Sequence, residues 1–210
     1  MKKEPPTPNR KPRADAVRNR EHLLAIAKPI LEAKGPAASL EEIARAAGVG
    51  IGTLYRHFPT RDALVEAVYR NETEILAAAA SRLAATHAPV DALREWMLVF
   101  VDYLATKREM SAALGSLSAG TSQLFATSTE LITGAILLLT ERAQASGDIH
   151  LTVQPIDLLI ALSGLAHAGI GTDWKGRARQ LVDILIAGLR TPKAAAPRAP
   201  ARPAKPVRRT

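Results

Sequence analysis

The run from Gly48 to Phe58 combines three regularly spaced glycines with side chains that donate hydrogen bonds. The glycines stand at positions 48, 50 and 52, and Tyr55, Arg56 and His57 follow them closely. Glycine-rich loops can cradle the phosphates of a nucleotide, whereas a glycine between two helices makes a turn of the kind found in DNA-binding proteins. The secondary structure on either side of the glycines decides between these two chemistries.

The segment before the glycines is predicted to be a helix. Ser39-Leu-Glu-Glu42 is typical of a capping box, in which the serine oxygen accepts from the third helical amide and Glu42 reaches back to the serine amide. It predicts a helix over 40–47, and Gly48 is expected to end that helix with a positive φ. A dinucleotide loop needs Gly-x-Gly-x-x-Gly after a strand, and a Walker loop needs Gly-Lys-Ser/Thr. Because this chain has neither pattern, the glycines favour a turn.

A second short helix is predicted over 50–57, with Pro59 as its end. Two short helices joined by a glycine turn have the layout of a helix-turn-helix motif, with Val49, Leu54 and Phe58 closing the core. The remaining face would enter the major groove, where its small N-terminal residues permit a close approach and its polar residues bind phosphates or a guanine edge. This face comprises Gly50, Ile51, Thr53, Tyr55, Arg56 and His57. Tyr55 could instead be half-buried with a solvated hydroxyl, and His57 could be an ordinary surface histidine.

The stretch SLEEIARAAGVGIGTLYRHFPTRDALVEAV resembles the N-terminal domain of the TetR family of bacterial transcriptional regulators, and the likeness covers about residues 14–70. The family pattern Gly-Thr-Leu-Tyr, then His/Tyr-Phe and Pro-Ser/Thr-Lys/Arg, is met here from Gly52 to Arg61. The resemblance implies DNA contacts at Ser39, Gly50, Ile51, Gly52, Thr53, Tyr55, His57 and Arg61. Many members carry Ser-Lys or Ser-Arg where this chain has Gly50-Ile51, so base reading is expected to depend on Thr53 and Arg56.

The rest of the chain is also predicted to be helical. Helices are expected over about 14–34, 61–86, 90–108, 110–117, 121–146, 154–169 and 173–190. The fold class is therefore all-α with about nine helices. A three-helix helix-turn-helix domain over 14–60 precedes a helical domain over 61–191. The last two helices carry apolar residues on more than one face, which predicts that they also form a homodimer interface.

The resemblance implies that the C-terminal domain binds a small-molecule effector, which we expect to be apolar. The large side chains that could line its pocket are Trp96, Phe100, Tyr103, Leu114, Leu117, Phe125, His167 and Trp174. Ordinary core packing is the alternative for most of them. Arg94, Arg108 and His167 are candidate polar anchors within the pocket.

The net charge of +8 lies in the two ends of the chain. Residues 1–13 carry five basic groups and one acid, and residues 192–210 carry six basic groups and no acid. We expect both segments to be disordered arms that bind nucleic acid or, alternatively, only aid solubility.

The composition argues against several other functions. The chain has no cysteine and no paired histidines, so we expect neither a metal site nor a cofactor. No catalytic set of residues emerges. No apolar run reaches about 18 residues, so we expect no membrane partner and a cytoplasmic, nucleoid-associated protein. The sequence therefore predicts a dimeric repressor that binds a palindrome in double-stranded DNA. The alternative is a helical ligand carrier or enzyme with an incidental helix-turn-helix.

Overall fold

A computed structural model of the chain describes residues 11–117, 121–168 and 173–191. These ranges contain nine α-helices and one 3₁₀ turn, η1, which confirms the predicted all-α fold. The elements are α1 (Lys11–Lys34), η1 (Gly35–Ala37), α2 (Leu40–Ala46), α3 (Ile51–His57), α4 (Arg61–Thr86), α5 (Pro89–Glu109), α6 (Ser111–Gly115), α7 (Thr121–Ala145), α8 (Pro155–His167) and α9 (Trp174–Leu189).

The N-terminal helix begins earlier than the sequence predicted. Residues 11–13, which we expected in the N-terminal arm, belong to the first turn of α1. Proline is tolerated in a first helical turn because the amides there have no partner within the helix, so Pro12 does not prevent this extension. The rest of that arm and the whole C-terminal tail, residues 192–210, lie outside the described residues.

The first three helices each bury apolar residues in a core that continues into the rest of the bundle. Leu23 and Leu31 of α1, Ile43 of α2 and Leu54 of α3 are completely buried. Their burial follows from the helical spacing of apolar residues, which gives each short helix one inward stripe. Thr60 begins α4 because its hydroxyl oxygen accepts from the Ala63 amide at 3.1 Å. This cap fixes the point at which the longer helix leaves the three-helix unit.

The remaining helices pack around α4 and α5. Helix α4 packs against α5 and α7, and α9 packs across α5 and α8. Within the described residues, Ser122–Ala145 of α7 is long and apolar enough to cross a membrane by length and composition, with a mean hydropathy of 1.3. A search of the sequence for uninterrupted apolar runs misses this helix, because Ser, Thr and Gly residues interrupt its apolar residues. The same helix contacts α4, α5 and α8.

Candidate DNA-binding surface and effector cavity

The turn between α2 and α3 is fixed by local interactions. The Ser39 hydroxyl oxygen accepts from the Glu42 amide at 3.1 Å, as the capping box requires. The Glu42 carboxylate accepts from the Lys34 ammonium at 2.6 Å, so it joins α2 to α1 instead of closing the second half of the box. Gly48 has a φ of 67°, a left-handed conformation that glycine adopts without strain. These contacts set the direction in which α3 leaves the turn.

Helix α3 has one buried and one exposed face. Leu54 is fully buried and Phe58, just after the helix, is 2% exposed. Ile51 and Tyr55 are 38% and 44% exposed, although both are large and partly apolar. The other predicted contacts are exposed at Ser39, Gly50, Gly52 and Arg56, and half-buried at Thr53 and His57. The structure thus brings the predicted DNA contacts of α3 together on one face.

Two glycines on this exposed face have no role in the packing of the chain itself. A Cβ atom added to Gly50 or Gly52 would meet no heavy atom within 4 Å, and neither glycine has a positive φ. Glycine within a helix costs about 0.5–1 kcal/mol relative to alanine. Gly50 is the N-cap of α3, where glycine is an acceptable residue. Gly52 lies within the helix, where the fold does not demand glycine, so an approaching partner is the simplest physical reason for Gly52.

Helix α1 contacts α2 and the end of α3 through two side chains that no sequence motif distinguishes. The His22 Nε2 atom donates to the Ala47 carbonyl oxygen at 3.1 Å, at the C-terminal end of α2. The Arg20 guanidinium carbon lies 5.4 Å from the centre of the Phe58 ring, a cation–π distance. Both contacts join residues that are far apart in sequence, so no local pattern could have revealed them.

Arg61, which we predicted to contact DNA, is bound within the protein. Its guanidinium donates to the Gly35 carbonyl oxygen at 2.7 Å and to the Ala38 carbonyl oxygen at 3.4 Å. It also donates to the Ser116 hydroxyl at 3.2 Å, directly after α6. Arg61 therefore connects the segment between α1 and α2 to the end of α6.

A cavity lies on the other side of α6. Its larger lobe has a volume of about 470 Å³ and is lined by residues of α5, α6, α7 and α8. A smaller lobe of about 150 Å³ shares Leu104, Lys107 and Phe125 with it. Mostly apolar walls with a few polar groups are typical of small-molecule sites, and the larger lobe has the volume of one.

Two family profiles match separate parts of the chain. Residues 23–68 match the bacterial regulatory proteins of the tetR family, and residues 88–191 match the C-terminal domain of SbtR-like transcriptional regulators. A solved TetR transcriptional regulator from Streptomyces coelicolor is 38% identical, with a TM-score of 0.73, and the match covers 83% of this chain and 99% of that protein. This chain belongs to the TetR family of transcriptional regulators.

Two further proteins extend the comparison. A solved TetR transcription regulatory protein from Mycobacterium vanbaalenii is 30% identical, with a TM-score of 0.71, over 85% of this chain and 99% of its own. The HTH-type transcriptional repressor LfrR of Mycolicibacterium smegmatis is 41% identical over 75 residues. That match spans 36% of this chain and 39% of LfrR. The family and the fold together make this chain a DNA-binding, ligand-responsive transcriptional regulator.

The predicted effector residues of this TetR-family regulator divide into two groups. The cavity is lined by Phe100, Tyr103, Leu114, Phe125 and His167. Trp96, Leu117 and Trp174 do not line either lobe. Trp96 is fully buried in the core, where its indole N–H donates to the Leu76 carbonyl oxygen at 2.9 Å. Of the proposed polar anchors, Arg108 lines the cavity, whereas Arg94 pairs with Asp183 at 2.7 Å near the surface.

A buried cluster of hydroxyls adjoins the smaller lobe. The Tyr103 hydroxyl donates to the Tyr69 hydroxyl at 2.8 Å, and the Thr73 hydroxyl donates to the Tyr69 carbonyl oxygen at 3.1 Å. Burial, followed by the neighbouring Tyr69, raises the pKa of Tyr103 well above its usual range. Tyr103 therefore stays neutral and keeps its proton for hydrogen bonding. Among the described residues, no group of three or more His, Cys, Asp or Glu side chains could hold a metal ion.

Proposed function

We propose that this regulator is a repressor that binds a palindromic operator as a homodimer and is released by a small-molecule effector in the cavity. The observation that carries the DNA-binding part is the single exposed face of α3, with its two unhindered glycines. The proposed contacts are Ser39, Gly50, Ile51, Gly52, Thr53, Tyr55, Arg56 and His57. Arg61 has a bridging role in place of the phosphate contact. Such a protein would act in the cytoplasm at the nucleoid.

The dimer is proposed to form through α8 and α9. Ile160 of α8 is 60% exposed and Ile184 of α9 is 66% exposed, which are high values for large apolar side chains. The two helices pack against each other, so they can present one combined surface to a second copy. A two-fold dimer would place the two α3 helices in successive major grooves, about 34–36 Å apart.

The link between effector and DNA is proposed to run through α6 and Arg61. Ser111, Leu114 and Gly115 of α6 line the cavity, and η1 packs against α6 on its other side. A Cβ atom on Gly35 of η1 would lie 3.2 Å from the Cβ atom of Ala112, so the two segments are in close contact. An effector that displaces α6 would therefore move Ser116 and alter the contacts that hold η1. Coupling between such sites is typically 1–3 kcal/mol.

Selection of bound sequences from random duplex DNA tests this function. We expect the wild-type protein to enrich a palindrome whose half-sites are one helical turn apart. The Tyr55→Ala/His57→Ala double variant should enrich nothing. Light scattering on the complex should give two copies per duplex. If the wild-type protein enriches no palindrome, the chain is better explained as a helical carrier or enzyme with an incidental helix-turn-helix.

A further inference from the structure

Two basic side chains in the cavity have no acidic partner. Lys107 and Arg108 both line the larger lobe, and its described lining residues include no Asp or Glu. Among the described residues, neither side chain lies within 4.0 Å of a carboxylate oxygen. Two other basic groups of the same bundle are ion-paired, since Lys175 and Arg179 share Asp102 at 3.4 and 3.0 Å. Two positive charges without an ion-pair partner among the described residues are therefore adjacent on the lining of the larger lobe.

The Lys107 ammonium is held against aromatic rings. It lies 5.2 Å from the centre of the Phe125 ring and 6.0 Å from the centre of the Tyr69 ring, and the side chain is half-buried. Cation–π contact offsets only part of the cost of removing an ammonium from water. A half-buried ammonium without a counter-ion therefore favours a ligand that supplies a negative charge.

Arg108 and His167 stand on the same lining of the larger lobe. The Arg108 side chain is exposed, and its guanidinium carbon is 5.9 Å from the centre of the Trp174 ring. Among the described residues, its hydrogen bond to the Ala166 carbonyl oxygen is long, at 3.4 Å. The His167 Nδ1 atom donates to the Ser163 carbonyl oxygen at 2.7 Å. The guanidinium thus retains N–H donors for a ligand, and a planar carboxylate fits that fork.

We propose that the effector of this regulator is an amphipathic anion, namely a carboxylate with an apolar body. The carboxylate would bind Lys107 and Arg108, and the apolar body would occupy the space between Leu104, Leu114 and Phe125. This inference rests on the proposed function only in calling the bound ligand an effector. The ligand class follows from the cavity, its apolar walls and its two unpaired cations.

Calorimetry with three matched probes tests the ligand class on the full chain without DNA. The probes are decanoate, decanol and decyltrimethylammonium, which share one apolar body and differ in head-group charge. Hydrogen bonds to charged groups contribute about 1.5–3 kcal/mol, so decanoate should bind at least about tenfold more tightly than decanol. Decyltrimethylammonium should bind more weakly than decanol.

The Lys107→Met variant should lose most of the preference for decanoate over decanol, while its affinity for decanol changes little. The Lys175→Met variant is the control, because Lys175 pairs with Asp102 and does not line the cavity. If Lys107→Met lowers the melting temperature without ligand, Arg108→Gln serves as the second test. Tighter binding of the cation, no binding of decanoate, or an unchanged preference in both cavity variants would overturn the proposal.

These outcomes are separate from those of the DNA selection. If a palindrome is enriched but decanoate does not bind, the ligand class is wrong and the regulatory function stands. If decanoate binds with the expected preference but no duplex is enriched, the ligand class stands and the repressor function is wrong. Release of a selected duplex by decanoate would support both.

Discussion

The DNA-binding surface and the effector cavity differ in how they are assembled. The surface comes from 19 consecutive positions, Ser39 to His57, whose conformation is set by hydroxyl caps at Ser39 and Thr60 and by one positive-φ glycine, Gly48. The larger lobe of the cavity is assembled from four helices spread over residues 104–167. Its two unpaired cations become neighbours of the other lining residues only after the bundle has formed. A surface made from adjacent residues can be read from sequence motifs, whereas a cavity made from distant ones cannot.

The first way to test this comparison is a stability measurement on α3. Leu54→Ala removes a fully buried side chain and should lower the free energy of unfolding by about 2–5 kcal/mol. Ile51→Ala, on the exposed face of the same helix, should lower it by less than about 1 kcal/mol. Urea unfolding followed by circular dichroism measures both. Equal losses for the two variants would contradict the assignment of buried and exposed faces.

Gly52→Gln separates DNA binding from folding. The free space around Gly52 and its helical position predict a slight gain in stability, about 0.5 kcal/mol or more. A longer side chain would obstruct the approach of α3 to the groove, so affinity for the selected duplex should fall at least about tenfold. Gly134→Gln on α7, where the space is also open, is the control and should leave affinity unchanged. Normal duplex affinity for Gly52→Gln would show that α3 does not enter the groove.

Arg56→Met tests whether Arg56 contacts the DNA bases or only the DNA phosphates. If Arg56 binds a guanine edge, affinity should fall by about 1–3 kcal/mol for the selected duplex, and selectivity at one position should relax. If it binds a phosphate, affinity should fall for all duplexes, and the salt slope should decrease by about 1. Arg45→Met, an exposed arginine of α2, is the control. Fluorescence anisotropy at several salt concentrations distinguishes the two outcomes. If Arg56→Met leaves duplex affinity unchanged, Arg56 does not contact the DNA.

Arg61→Met tests the connection between the two regions. It removes the donors to Gly35, Ala38 and Ser116, so a cavity ligand should bind with nearly normal affinity but release the duplex less effectively. The loss should correspond to about 1–3 kcal/mol of coupling. Ligand-dependent release, measured by anisotropy, should remain normal in Arg82→Met, a change at an exposed arginine of α4. Unchanged ligand-dependent release of the duplex by Arg61→Met would exclude this route. A loss of duplex affinity in the absence of ligand would instead support the predicted contact between Arg61 and a DNA phosphate.

The smallest expected effect concerns Glu32 of α1, whose Oε1 atom is buried without a hydrogen-bond partner. Desolvation raises its pKa above 4.5 and repulsion by Glu109 and Glu72 adds to this, whereas Lys28 and a hydrogen bond with Thr106 oppose it. The folded state therefore binds more protons than the unfolded state just above pH 4.5, so this group lowers stability as the pH rises through that window.

Glu32→Gln should accordingly be more stable than the wild-type protein at neutral pH and less dependent on pH above 4.5. Thermal unfolding between pH 4.5 and 7.5 measures this. Glu74→Gln, at an exposed site on α4, should follow the wild-type profile. A Glu32→Gln profile parallel to that of the wild-type protein would show that the carboxylate is well solvated.

The same distinction explains which predictions from sequence succeeded. Helical periodicity, caps and glycines predicted the fold, and the resemblance in the stretch that includes Gly52 to Arg61 predicted the family, because each signal lies within a short run of residues. Trp96 was expected in the pocket on size alone, but only the packing of α4 and α5 shows that its N–H group has a backbone partner in the core. Lys107 was missed because a lone lysine near a helix end usually faces solvent. The bridging role of Arg61 depends on Ser116, 55 residues away.

The absence of cysteine from the chain permits a direct test of the central claim, that two α3 surfaces read one palindrome. A spin label on Ala46→Cys, exposed at the end of α2, reports the separation of the two helix-turn-helix units by electron double resonance. With the selected duplex, we predict one narrow intermolecular distance near one helical turn of DNA, about 34–36 Å plus the offset of the labels. The account would be contradicted if no distance between two labelled copies is detected. It would also be contradicted if adding the duplex neither shifts nor narrows the distribution of that distance.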